Sequence, residues 1–205
     1  MKIYGHPLSS CTRKALIVAH EKAAPLELVM VDLLAGEHKQ PAHLARHPFG
    51  VIPVLDDDGF TLLESRAIIR YLDARLAGPS LVPDDLQARA RMDQALSIDQ
   101  AYVSPRMSAL VGQLIVRPHL GHAPDAEIVA AEQRELGKAL AAIDRNLAGA
   151  RYLAGDAFSL ADVSLMPYLA AVQLIRAQAL LDDLRHLQRW WAEVSARPSW
   201  RAIAA

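Results

Sequence analysis

Short apolar runs of strand period alternate with helical spacings through the first part of the chain, and beyond it the helical spacing takes over. The pattern predicts a strand over 2–4, a helix over 12–22, a β-branched strand over 26–31 and a short helix over 40–46 after a loop. Strands over 52–55 and 60–62 flank Asp56-Asp57-Asp58-Gly59, a turn sequence whose glycine tolerates positive φ, so the two form an antiparallel hairpin. A helix over 65–76 closes the series. The order βαβ then ββα implies an α/β domain, a four-stranded mixed sheet with helices on its faces, spanning 1–77.

Gly78-Pro79-Ser80 and Pro83 give 78–84 the composition of a linker, and the domain expected after it, 85–205, is all helical. Leu96, Tyr102, Val103, Met107, Leu110 and Leu114 recur at helical spacing over 86–116, with Pro105 as a kink. A second helix runs over 125–147, acidic in its first turn and with Gly149 just past its end. Ser159-Leu160-Ala161-Asp162 has the form of a capping box, with Phe158 placed to act as a hydrophobic staple. Trp190, Trp191, Val194 and Trp200 are expected to face the core on either side of an Arg197-Pro198 break. There is no internal repeat.

Charge and composition narrow the partners. The 205 residues are 52% hydrophobic and 22% charged with a formal net charge of −1, enough to bury a core and without the basic footprint of a nucleic-acid or membrane-surface binder. Small molecules, or copies of the same chain, are the expected partners. The N-terminal segment lacks the apolar core of a signal peptide, and the most apolar late stretch is broken by Asp162, Pro167 and Gln173, so a cytoplasmic protein is expected. One cysteine, Cys11, excludes an internal disulfide and a cysteine-based zinc site. The eight histidines show no metal-ligand spacing; His43 and His47 share a helical face at i and i+4 but, with no third ligand, read as surface residues.

The chemistry concentrates at Ser9, which ends the turn Gly5-His6-Pro7-Leu8-Ser9 just before a helix starting near Ser10 or Cys11. A first helical turn offers unpaired N–H donors and partial positive charge, so a hydroxyl there can stabilise an anion such as a thiolate. Ser9 and Ser10 as helix caps is the alternative reading of the same residues. Val51-Ile52-Pro53 and Glu64-Ser65 have the types and spacing to hold a peptide ligand beside Ser9.

Four segments in register carry a resemblance: Gly5-His6-Pro7-Leu8-Ser9, Gly36-Glu37-His38-Lys39, Pro48-Phe49-Gly50-Val51-Ile52-Pro53 and Phe60-Thr61-Leu62-Leu63-Glu64-Ser65-Arg66-Ala67-Ile68. Together they resemble the cytosolic glutathione S-transferases, most closely the phi class. Tyr152-Leu153-Ala154-Gly155-Asp156 and the capping box extend the likeness into the second half. The resemblance implies a thioredoxin-like N-terminal domain, an all-α C-terminal domain, glutathione as co-substrate, no metal, and a detoxifying transfer of the glutathione thiolate to hydrophobic electrophiles. Ser9 would donate a hydrogen bond to the sulfur. A cis Pro53 would turn the Ile52 backbone toward the peptide; Ser65, capping its helix, would meet the γ-glutamyl carboxylate and Glu64 the α-amino group. His38 and Lys39 would reach the glycine carboxylate. A homodimer is implied as well, with Phe49 as a contact.

The chain departs from the family pattern in places. Val51 stands where Gln is usual and His47 where Asn is usual, and Gly112 and Val116 occupy positions that are often aromatic in plant relatives. A roomier electrophile pocket follows, with Leu8, Met107, Gly112, Val116 and Leu120 as candidate lining. Two other readings stay open. Cys11 at the same helix start would make a cysteine-type thiol transferase through a mixed disulfide with glutathione. A binding module without turnover would keep the fold and be indifferent to Ser9→Ala.

Overall fold

A computed structural model describes residues 1–204, and the chain groups into two units, Met1–Val82 together with the segment from Ala196, and Pro83–Ser195. In the first, β1 (Lys2–Gly5) pairs in parallel with β2 (Glu27–Met30) across α1 (Ser10–Glu21), and antiparallel with β3 (Val54–Asp57). β3 pairs with β4 (Phe60–Leu62) as the expected hairpin, giving the strand order β2-β1-β3-β4. Ile3, Val54 and Leu55 from the strands, Ala15, Ile17 and Val18 from α1, and Ile68, Ile69 and Leu72 from α3 (Ser65–Arg75) are wholly removed from water and form one core. The helix expected over 40–46 is a single 3₁₀ turn, Glu37–Lys39, followed by α2 (Pro41–Leu44).

The chain end departs from the domain boundary read from sequence. The first unit extends to Val82, and it includes α10 (Pro198–Ala204), which the sequence reading assigned to the helical domain. The reason is visible on α1. Arg197 makes a bidentate pair with Glu21 at 2.8 Å, Ser199 donates to the same carboxylate at 2.5 Å, and Trp200 is buried with the Arg13 guanidinium over its ring. Burial works to raise the Glu21 pKa, but the Arg197 and Ser199 hydrogen bonds prevail and hold it below the usual carboxylate range.

The second unit opens with one continuous helical run over 86–119. It consists of α4 (Leu86–Ile98), a wide π turn Asp99–Val103, α5 (Ser104–Val111), a second wide turn Gly112–Val116 and α6 (Arg117–His119). Pro105 lies in the first turn of α5, where the wide turn before it absorbs the missing N–H donor that would otherwise break the helix. Asp125 caps α7 (Ala126–Leu147) by accepting from Glu127 and Ile128 N–H at 3.0 and 3.1 Å. The capping box ahead of α8 (Leu160–Leu174) forms as expected. Its Asp162 carboxylate also accepts from Leu153 N–H at 3.0 Å and from Trp190 Nε1 at 2.7 Å, tying α9 (Arg185–Ser195) to α8. Among the described residues no helix is long and apolar enough to cross a membrane.

Candidate active site

Strand direction gathers the sequence-selected residues of the first unit. Tyr4 pairs with Val54 and Leu55 with Leu62, both antiparallel, while β2 runs parallel to β1. The C-terminal ends of β1, β2 and β4 and the N-terminal start of β3 therefore share one end of the sheet. Ser9 follows β1, His38 and Lys39 follow β2, Val51, Ile52 and Pro53 precede β3, and Glu64 and Ser65 follow β4. The topology thus places four stretches distant in sequence at the same end of the sheet.

Ser9 is the N-cap of α1, with extended backbone (φ −71°, ψ 123°), and its hydroxyl oxygen accepts from Thr12 N–H at 3.3 Å. That bond uses a lone pair and leaves the hydroxyl proton for another acceptor, so capping and anion binding are compatible in one side chain. The turn is pinned from below. His6 N–H donates to Thr12 Oγ1, Ser9 N–H donates to the His6 carbonyl at 2.9 Å, and Arg13 Nε reaches the Pro7 carbonyl at 2.6 Å. Gly5 is required there, since a Cβ on it would lie 2.4 Å from Thr12 Oγ1. Cys11, the second residue of α1, is half-buried.

The stretch from His38 to Pro53 folds back on itself. Lys39 Nζ donates to the Phe49 carbonyl at 3.2 Å, and His43 is hydrogen-bonded through Nε2 to the Val51 carbonyl at 2.8 Å. Gly50 adopts φ +59°, and a Cβ on it would sit 2.9 Å from the His38 carbonyl, so only glycine lets the two limbs approach. The Ile52–Pro53 bond is cis, and Ile52 lies outside the ladder that starts at Val54. His43 and His47 are not surface residues as the sequence suggested: they are 4% and 1% exposed. Their rings stack at 6.4 Å, and the Phe49 ring meets His47 edge-on at 6.0 Å. His38 Nδ1 and His47 Nδ1 are buried without a hydrogen-bond partner among the described residues. Burial, and then the neighbouring Lys39 and His43 charges, hold the His38 imidazole below the usual histidine pKa. Burial does the same at His47, where Glu64 opposes it and His43 and Lys39 reinforce it.

Glu64, not Ser65, is the N-cap residue of α3. Its backbone is left-handed, φ 67° and ψ 110°, a conformation that costs a non-glycine residue about 1–3 kcal/mol and tends to be kept where a site needs it. The Glu64 side chain is exposed, while Ser65, the first helical residue, is buried. The positive end of α3 thus carries a hydroxyl and backbone donors next to an outward carboxylate.

The candidate electrophile-lining residues divide by exposure. Leu8 and Leu120 are exposed, Val116 is partly so, and Gly112 has open space where a Cβ would project. Met107 is corrected: at 1% exposure it belongs to the core of the helical unit, where α5 packs on α7 and α8. A cavity of about 250 Å³ in that unit, lined by Arg91, Gln94, Ile98, Ile143, Leu153 and Leu165 among others, contains none of the residues proposed from sequence to bind glutathione or the electrophile.

Two family models match the chain, glutathione S-transferase N-terminal domain over residues 1–74 and glutathione S-transferase C-terminal domain over 101–198. Glutathione S-transferase 3 of Zea mays is 40% identical over 209 residues, covering all of this chain and 93% of that protein. Among solved structures, glutathione transferase F7 from Populus trichocarpa aligns with a TM-score of 0.91 at 37% identity, over 99% of this chain and 97% of that one. Glutathione S-transferase I from maize, in complex with an atrazine glutathione conjugate, aligns at 0.88 and 30% identity, over 99% and 95%.

Proposed function

The chain belongs to the glutathione S-transferase family, in the phi-like group, and within that family's reaction we propose that Ser9 is the residue that stabilises the glutathione thiolate for attack on hydrophobic electrophiles. The single observation that carries the assignment is the Ser9 cap: an oxygen held by Thr12 N–H at the start of α1, with its proton available to a sulfur. A thiol of pKa about 8.5 is only ~3% ionised at pH 7, and lowering it to about 6.5 would leave roughly three quarters ionised, about a 25-fold gain. The free energy involved is under about 3 kcal/mol, within reach of one charge-assisted hydrogen bond and a helix N-terminus. Holding the electrophile against the sulfur supplies the remaining acceleration.

The other residues of the same sheet end bind the tripeptide. Ile52 offers its backbone to the cysteinyl unit, Ser65 and the start of α3 take the γ-glutamyl carboxylate, and Glu64 takes the amino group. His38 and Lys39 take the glycine carboxylate. This is supported by their placement at one end of the sheet and by the positive φ of Glu64 at the start of α3. Gly112 and Val116 of the helical unit contribute to electrophile binding. The protein works in the cytoplasm as a homodimer; Phe49, apolar and 73% exposed in the single chain, supports a partner surface.

The experiment compares conjugation of glutathione to chlorodinitrobenzene by the wild type, Ser9→Ala and Cys11→Ser, with glutathione binding measured on each. The proposal expects activity to fall in Ser9→Ala alone while binding persists. Loss in Cys11→Ser with trapping of a mixed disulfide would transfer the role to the cysteine, and tight binding with no turnover in any variant would leave a binding module.

A further inference from the structure

His43 has no role in the site as read so far, yet it is almost fully buried on a helix of only four residues. Its imidazole is hydrogen-bonded through Nε2 to the Val51 carbonyl at 2.8 Å, and a carbonyl only accepts, so Nε2 carries the proton. The Val51 carbonyl and the Ile52 N–H belong to the same planar peptide unit, in which the two groups point in opposite directions. The next peptide bond, Ile52–Pro53, is the only cis one among the described residues. Fixing the Val51 oxygen against His43 therefore fixes the direction of the Ile52 donor. Val51 also has no polar side chain of its own, which leaves this short stretch with backbone groups alone to meet a peptide.

The imidazole is itself held. His47 stacks on it with an angle of 11° between the rings, Phe49 closes the stack edge-on, and His47 N–H donates to the His43 carbonyl at 2.8 Å. The chain then turns through Gly50, whose N–H bonds to the His47 carbonyl at 2.8 Å, and arrives at Val51. Every link from the ring stack to the Val51–Ile52 peptide is a direct contact or one residue of backbone.

We propose that His43 is a positioning residue for glutathione: it anchors the Val51 carbonyl so that the Ile52 N–H is presented to the backbone of the bound tripeptide. The inference rests on the reading that Ile52 is a glutathione contact. His43 does not touch the ligand, and its loss affects binding of glutathione and not the chemical step or the electrophile.

The test uses His43→Phe, which keeps a ring against His47 but has no donor, and His43→Gln, whose amide can donate to the same oxygen. Calorimetry measures the glutathione Kd, and steady-state kinetics with chlorodinitrobenzene separate KM from kcat. His43→Phe is expected to raise Kd and KM for glutathione about tenfold, the size of one hydrogen bond's net contribution, with kcat and the KM for chlorodinitrobenzene within about twofold. His43→Gln is expected to return the glutathione values to within about threefold of wild type. An unchanged Kd in His43→Phe, with only a lowered melting temperature, would make His43 structural and overturn the inference while leaving the Ile52 contact standing. A wild-type protein that does not bind glutathione would overturn the functional reading and this inference together. Should His43→Phe fail to fold, nitrogen NMR of the wild type decides: the inference requires the Nε2–H tautomer at His43 and an Ile52 amide resonance that shifts on adding glutathione, and an Nδ1–H tautomer or an unmoved Ile52 amide contradicts it.

Discussion

The Lys22 ammonium lies 2.7 Å from the Asp73 carboxylate, with the two side chains 1% and 4% exposed, joining the end of α1 to α3. The pair is fully engaged. Lys22 Nζ also donates to the Pro79 carbonyl at 2.6 Å, and Asp73 accepts from Leu81 N–H at 2.9 Å, so the segment after α3 is fastened to the same ions. Removing one partner strands a buried charge. Asp73→Ala should destabilise the protein by about 3–5 kcal/mol, whereas the double replacement Lys22→Met/Asp73→Leu should recover much of that loss. Chemical denaturation of the single and double variants checks the sign; a single variant within about 1 kcal/mol of wild type would mean that water reaches the pair.

Glu64 sets stability against binding. Its backbone sits at φ 67°, which glycine adopts without steric cost. Glu64→Gly should raise stability by up to about 1 kcal/mol, and, under the proposed role of Glu64 as partner of the α-amino group, the same change should weaken glutathione binding about tenfold or more. Melting temperature and calorimetric Kd should therefore move in opposite senses of fitness, and a variant that is less stable would contradict the strain assignment.

Val51 is an exposed residue, and its side chain offers no polar group to a ligand. Val51→Gln should tighten glutathione binding about fivefold, the net worth of one added hydrogen bond, with little change in kcat. Isothermal titration of glutathione into both proteins measures it.

Acid should loosen the His38–Pro53 stretch. Burial, with the nearby cations, keeps the His38 and His47 imidazoles below their ordinary pKa, so the folded state binds fewer protons than the unfolded chain, whose histidines titrate near about 6.5. Their contribution to stability is complete above that pH and is lost as the pH falls below it. His47→Asn removes one of the two groups and should reduce the loss of stability between about pH 7.5 and 5.5. Urea midpoints at the two pH values provide the comparison, and an identical loss in both proteins would contradict it.

Much of the first unit was readable because strand and helix periods alternate cleanly and Asp56-Asp57-Asp58-Gly59 announces its hairpin. The capping box at Ser159 and Asp162 was readable for the same local reason. What escaped depends on tertiary contacts. Nothing in Glu64-Ser65 signals a left-handed backbone, since no glycine or asparagine stands there, and so Ser65 was read as the cap. His43 and His47 at i and i+4 look like a polar face until the Val51 carbonyl and the ring stack are seen to bury them. Met107 fits a pocket and a core equally well by spacing, and packing decided for the core. The docking of α10 on α1 rests on Arg197 finding Glu21, far back in the chain, which no local pattern carries. The wide turns at Asp99–Val103 and Gly112–Val116 likewise leave no mark in a spacing that stays helical throughout.

The most direct test of the central claim is the pH titration of enzyme-bound glutathione, followed by the ultraviolet absorbance of its thiolate in the wild type, Ser9→Ala and Cys11→Ser. If Ser9 stabilises the thiolate, the bound thiol titrates near pH about 6.5 in the wild type and in Cys11→Ser, and returns toward about 8.5 in Ser9→Ala. A bound thiol that titrates alike in the wild type and Ser9→Ala would contradict the account.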